Sequence, residues 1–174
     1  YNYRYTNSTD AWSSRTDISI GSIAYHITSY LRTHTKAIVS NGNFSTWMQN
    51  HSAVYKDPAN TWTAKGDTNY NHSWSGFSLA NRRSVSLGNN TAEKYDDIYD
   101  VWTVISGINE GVGEGRYAIG SFGVDTGSGI IAGGIYNGSV VTGRSEKYVE
   151  STNTWRINSS LLAVTSYSAN FQVE

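Results

Sequence analysis

An all-β fold built from repeated units is what this sequence predicts, and three observations carry the prediction. The first is an aromatic pair. A tyrosine precedes a tryptophan by seven residues four times: Tyr5 and Trp12, Tyr55 and Trp62, Tyr95 and Trp102, Tyr148 and Trp155. The second is spacing, since those tryptophans lie about 40 to 53 residues apart, the period of propeller-type repeats. The third is composition. A single proline, 16% charged residues and abundant Gly, Ser, Thr, Asn and Tyr suit strands joined by polar turns and suit long helices poorly.

Within each unit the same signals recur in order. The head, "YNYRYTN", reads as a third strand leading to Trp12. The first full unit offers strand "IAYHITSYL", turn "RTHT", strand "KAIVSNG", a long loop "NFSTWMQNHS", and then "AVYKDPANTW". In the second unit "WSGFSLA", "NRR" and "SVSLG" fill the first two strands and their turn, before "EKYDDIYDVW". The third is clearest: "RYAIGSFGV", turn "DTGSG", strand "IIAGG", loop "IYNGSVVTG", strand "RSEKYVE", turn "STN" and Trp155. If the third and fourth strands form a hairpin, the segment between Tyr and Trp is its turn. Residues such as those of "KDPAN" and "DDIYD" take turn conformations or bond their own backbone. The two rings, each able to bury on the order of 150 to 250 Å², then cement one unit to the next.

These features resemble the kelch-repeat family, whose units each form a four-stranded blade of a β-propeller. The resemblance spans nearly the whole chain. It rests on the glycine doublet Gly133-Gly134, on "AEKY" and "SEKY" opening the third strand, and on "NTW" at Trp62 and Trp155. The "GFSL" strand, Gly76 to Leu79, is similar to degenerate kelch-like repeats of microbial and phage surface proteins. The doublet is reduced to Gly88 in the second unit and to Ser40-Asn41-Gly42 in the first, and the arginine before the first strand is clear only at Arg116. The resemblance implies one kelch-like domain over residues 1–174, with about four blades, one of them shared between a head and a tail half-blade. The tail, "SLLAVTSYSANFQVE", reads as first-strand material. Head and tail would close a ring, or complete one another between molecules, or belong to a longer array. The joined blade falls short of the others, which favours completion between molecules.

Function is bounded mostly by exclusion. Net charge is −1, with no basic stripe to attract nucleic acid. No apolar run reaches the roughly 18 residues of a membrane span. Cysteine is absent, which rules out thiolate chemistry and disulfides. A start at Tyr1, without methionine or signal peptide, implies a processed chain or a piece of a longer one. "DTG" at Asp125 lacks the second carboxylate an aspartic protease needs. "GVGEG" at Gly111 precedes a strand instead of the helix a phosphate loop opens. His26, His34, His51 and His72 show no ligand spacing. Glu93, Asp96, Asp97 and Asp100 form an acidic group without a recognisable calcium loop, and read as a solvated turn. No cofactor, metal or catalytic residue is expected.

Seven Asn-X-Ser/Thr sequons start at Asn7, Asn43, Asn50, Asn71, Asn89, Asn137 and Asn158, against about four expected from composition. They point to an extracellular, cell-surface or virion-surface glycoprotein. The expectation is a non-catalytic structural module, a subunit of a surface fibre or adhesive assembly, with itself as partner in a head-to-tail polymer. A lectin-like propeller binding glycans through aromatic rims is the alternative, and an enzyme with a dispersed site is the second.

Overall fold

Strands and tight turns make up the computed structural model, which describes residues 2–6, 9–17, 29–33, 36–44, 47–57, 59–70, 75–79, 82–88, 91–109, 116, 119–136 and 139–163. A hairpin of β1 (Asn2–Thr6) and β2 (Ala11–Arg15) comes first. Next is a four-stranded antiparallel meander of β3 (Ser29–Thr33), β4 (Lys36–Phe44), β5 (Trp47–Lys56) and β6 (Thr61–Lys65). A second meander holds β7 (Ser75–Leu79), β8 (Arg83–Gly88), β9 (Thr91–Asp96) and β10 (Val101–Ile105). In the last sheet β11 (Gly120–Asp125) and β12 (Ser128–Ala132) pair with β15 (Ser145–Val149) and β16 (Thr154–Asn158). A small hairpin of β13 (Ile135–Tyr136) and β14 (Val140–Val141) is inserted between β12 and β15. The fold is therefore all-β, with several antiparallel sheets. No closed ring of sheets is seen among the described residues.

The four aromatic pairs set the register. Tyr5 faces Trp12, Tyr55 faces Trp62, Tyr95 faces Trp102 and Tyr148 faces Trp155, each as direct partners across a hairpin. Two residues before each tryptophan the backbone turns left-handed, at Asp10, Asn60, Asp100 and Asn153, with φ of 49°, 52°, 57° and 49°. Asparagine and aspartate are the side-chain-bearing residues that enter this region most readily, which is why the position is Asx every time.

Burial falls from the first strand of a sheet to the last. β7 is buried at every position, because it lies against both β3 and β11. By contrast β6, β10 and β16 are largely exposed. Close approach of the inner strands depends on missing side chains: a Cβ on Gly123 would sit 2.3 Å from the backbone oxygen of Ser78, and one on Gly129 would overlap the Phe77 ring. The core accordingly lies between sheets. One cluster joins Ile38 and Val54 of the first sheet to Tyr95, with Trp102 packed against it. A larger one joins Phe77, Leu79, Val85 and Leu87 of the second sheet to Ile131, Tyr148 and Trp155 of the third.

Three expectations change. "NFSTWMQNHS" is not a loop, since most of it extends the β4–β5 hairpin, where Asn43 faces Met48 and Phe44 faces Trp47. "IYNGSVVTG" likewise contains the β13–β14 hairpin. Both segments are held by main-chain pairing rather than by an apolar alternation, so their polarity misleads. Trp12 keeps its register with Tyr5 yet is 70% exposed, where a buried ring was expected. The tail from residue 164 lies outside the described residues, and Leu161–Ala163 form no strand.

Candidate functional site: the joints between sheets

Successive sheets meet through one recurring device. In the third sheet the Tyr148 hydroxyl donates to Asn153 Oδ1 at 3.1 Å, and the paired rings stand 5.2 Å apart, tilted by 45°. The left-handed turn aims Asn153 at the sheet before it. There Ser106 N–H donates to Asn153 Oδ1 at 3.1 Å and the Ser106 hydroxyl donates to the Asn153 carbonyl. Trp155 returns a bond, its Nε1–H donating to Ser106 O at 2.7 Å. The joint between the β1–β2 hairpin and the first sheet repeats all of this. Tyr55 donates to Asn60 Oδ1, Thr16 donates twice to Asn60, and Trp62 Nε1 donates to Thr16 O at 2.8 Å. Both Thr16 and Ser106 stand four residues after a paired tryptophan.

The middle joint is a variant. Gly66 occupies the position four after Trp62 and has no hydroxyl to offer. Trp102 Nε1 donates instead to Ser52 Oγ at 3.2 Å, and Ser52 relays the bond to Gly66 O at 2.8 Å. Asp100 replaces asparagine; it accepts from the Tyr95 hydroxyl at 2.8 Å and from Lys65 at 3.2 Å. Burial and then the Asp100 hydrogen bond push the Tyr95 hydroxyl well above its ordinary pKa. Burial and the charge of Glu150 raise that of Tyr148 to about 12. A Cβ on Gly66 would meet only Asp100 O, at an ordinary 3.7 Å. Gly66→Ser should therefore restore the missing donor and lower the conformational entropy of the unfolded chain, raising stability by about 1 kcal/mol. An unchanged or lower melting temperature would show that the middle joint does not accept the arrangement of its neighbours.

Each joint also carries an acid five residues before its tryptophan. Asp57 approaches Arg15 at 3.9 Å, Asp97 holds Lys36 at 2.7 Å together with Arg82, and Glu150 holds Arg83 and Lys94. Burial pushes the Asp97 carboxyl up, but hydrogen bonds and charge from Lys36 and Arg82 outweigh it and leave the pKa below the usual value. Two further carboxylates are buried outright. Glu93 accepts the main-chain N–H groups of Asn69 and Tyr70, and Glu146 accepts that of Asn109. Asn69 and Asn109 each follow a paired tryptophan by seven residues, while Glu93 and Glu146 precede a paired tyrosine by two. Glu146 also faces Arg116 Nη1 at 3.5 Å; the same guanidinium donates to Gly133 O and Arg144 O, clamping the neck of the β13–β14 hairpin. The Gly133-Gly134 doublet supplies that neck with φ of 68° and 107°, out of easy reach for other residues.

The acidic group of the sequence is thus dispersed among partners. Glu93 and Asp97 serve joints, Asp100 caps Tyr95, and Asp96 accepts the N–H groups of Ile98 and Tyr99 within its own turn. Among the sequons, Asn158 is exposed on β16, whereas the Asn50 side-chain amide donates to Thr68 O at 3.2 Å. Asn7, Asn71, Asn89 and Asn137 lie outside the described residues, as does the side chain of Asn43. Part of the pattern that builds the joints stands in the sequence: Asx two residues before each of the four tryptophans, a hydroxyl four after three of them and an asparagine seven after two. No helix among the described residues is long and apolar enough to cross a membrane. No family model matches the chain, and no curated protein matches it in sequence.

Proposed function

We propose that this chain is a non-catalytic structural module, a subunit of an extracellular fibre or adhesive assembly, whose sheets are the blades of a kelch-like propeller-type array. The observation that carries this reading is the repeated joint. Its polar and charged side chains are committed to fastening one sheet to the next, in one geometry at two joints and a variant of it at the middle one. Such a design favours stacking and self-association over turnover, and its partner is a further copy of itself. Exposed Asn158 and the other sequons support a glycosylated surface location, at the cell or virion surface. Electron microscopy and sedimentation of the whole chain test the proposal. Concentration-dependent linear assemblies are expected, and particles that stay monomeric at the highest soluble concentration would overturn it.

A second reading has one observation in its favour. Tyr99 and Ile98 project from the β9–β10 turn, with Tyr99 75% exposed, and flat aromatic faces of this kind stack on sugar rings. Glycan binding by isolated monomers, lost in Tyr99→Ala, would favour a lectin-like role instead.

A further inference from the structure

The strands that follow the Tyr–Trp turns are alike in place and differ in charge. β2 carries Arg15, β6 carries Lys65 and β16 carries Arg156, whereas β10, "VWTVI", carries no charged residue. Among the described residues β10 is the outer strand of its sheet and pairs with β9 alone. Val101 is 46% exposed and Val104 47%, and Thr103 between them is exposed as well. An outer strand turns half of its N–H and C=O groups away from the sheet, and a ladder can continue from them into another chain. Proteins guard such strands with charge, proline or a bulge. β10 has no charge and no proline, and its register with β9 runs without a shift from Val101 to Ile105. Every residue in it is β-branched or aromatic, the types that best suit a half-buried ladder.

The chemistry of this edge selects its mate. Laid antiparallel to itself about Thr103, β10 sets Val101 opposite Ile105, Trp102 opposite Val104 and Thr103 opposite Thr103. Aromatic and β-branched residues then meet across the ladder, and no charges meet. The same operation on β16 would set Arg156 against Arg156, a direct like-charge pair. On β6 it would crowd Lys65, which already holds Asp100. A charged partner segment would find no countercharge along β10, so the strand fits an uncharged one, and its own copy is such a segment.

Resting on the reading that the partner is a further copy, we propose that β10 of one molecule pairs antiparallel with β10 of a second, about a two-fold axis through Thr103. The two middle sheets become one continuous sheet, and Val104 of each copy covers the open edge of the other's Trp102. Because the contact is isologous, it closes at a dimer. A linear assembly needs a further contact, and this one then ties two such assemblies side by side.

The chain has no cysteine, so a single introduced thiol tests the pairing directly. Residues directly opposed in an antiparallel ladder have Cα atoms about 4.5 to 5.5 Å apart, within the roughly 4.4 to 6.8 Å that a disulfide spans. A mild oxidant should convert Thr103→Cys to a covalent dimer. Thr63→Cys and Arg156→Cys, at the same offset from their tryptophans on β6 and β16, should stay mostly monomeric. In sedimentation velocity the whole chain should show a dimer that grows with concentration. Val104→Lys should weaken it about tenfold or more, since symmetry counts the substitution twice. Its melting temperature as a monomer should hold, because Val104 is half exposed. Linear assemblies that persist in Val104→Lys, with no cross-link in Thr103→Cys, would overturn this contact and leave the assembly reading standing. A dimer that cross-links at position 103 and never grows longer would support the contact and overturn the linear assembly. A chain monomeric at every concentration would overturn both. Equal cross-linking of all three cysteine variants would mean random collision and would also overturn the pairing.

Discussion

Replacing Trp155 by alanine should lower stability by about 3 to 5 kcal/mol, the range for removing a buried large aromatic side chain. The ring is only 6% exposed and sits where three elements meet. It packs edge-on to Phe77 at 6.2 Å, tilts against Tyr148 at 5.2 Å, and donates from Nε1 to Ser106 O. Alanine would leave a void between the second and third sheets and strip a carbonyl of its donor. Neighbouring strands cannot collapse into the space, since the Phe77 ring is already in contact with β12 at Gly129. Chemical denaturation gives the value directly. Trp12→Ala in the monomer is the control, and its effect should be small because that ring is mostly in solvent. A loss below about 1 kcal/mol at Trp155 would mean the joint contributes little to the fold, well under the cavity range.

A loss of similar size, about 3 to 5 kcal/mol, is expected for Arg116→Met, which breaks a buried ion pair by removing one partner. Both Arg116 and Glu146 are fully buried. Burial lowers the guanidinium pKa and the Glu146 charge opposes that shift, so each charge depends on the other to remain tolerable. Methionine would leave Glu146 facing an apolar chain and free the two carbonyls, of Gly133 and Arg144, that the guanidinium holds together. Adding Glu146→Gln should recover part of the loss, because the amide oxygen still accepts from Asn109 N–H and no charge is stranded. A double-mutant cycle reads the coupling. Strict additivity of the two substitutions would rule out the pair as a unit. Weakened main-chain protection confined to residues 133–144 in Arg116→Met would identify the hairpin neck as the element released.

Much of the fold was legible in the chain because its strongest signal is local. Seven residues from Tyr to Trp places both on facing strands around a tight turn, and one spacing therefore fixes strand, turn and register at once. The strands "SGFSL" and "SVSLG" were equally plain, being short apolar runs beside turns. The joints were less legible. Their bonds link residues 44 to 50 apart, such as Thr16 with Asn60 and Ser52 with Trp102, and no local pattern marks a hydroxyl as a donor to a distant turn. Small residues opposite the tyrosines, namely Ala37, Ser84 and Gly129, were passed over for the same reason. They matter through the ring that fills the space above them, as Phe77 does at Gly129. The acidic group was read as solvated because four carboxylates in eight positions look like surface, yet Glu93 and Asp97 are buried by partners from other segments.

Every joint points backwards along the chain: the later hairpin brings the Asx and the tryptophan, and the earlier segment offers the acceptor. A polypeptide emerging from the ribosome therefore displays each docking platform before the element that will occupy it. Thr16 has left the tunnel long before Trp62, and Ser106 before Trp155. Each new hairpin needs to find only a surface already made, and no sheet must wait for a distant partner to be translated. Loop-closure costs stay modest because most sheets close from consecutive strands. Order of synthesis and order of assembly then coincide, so the chain accretes course by course, like masonry laid on a finished row.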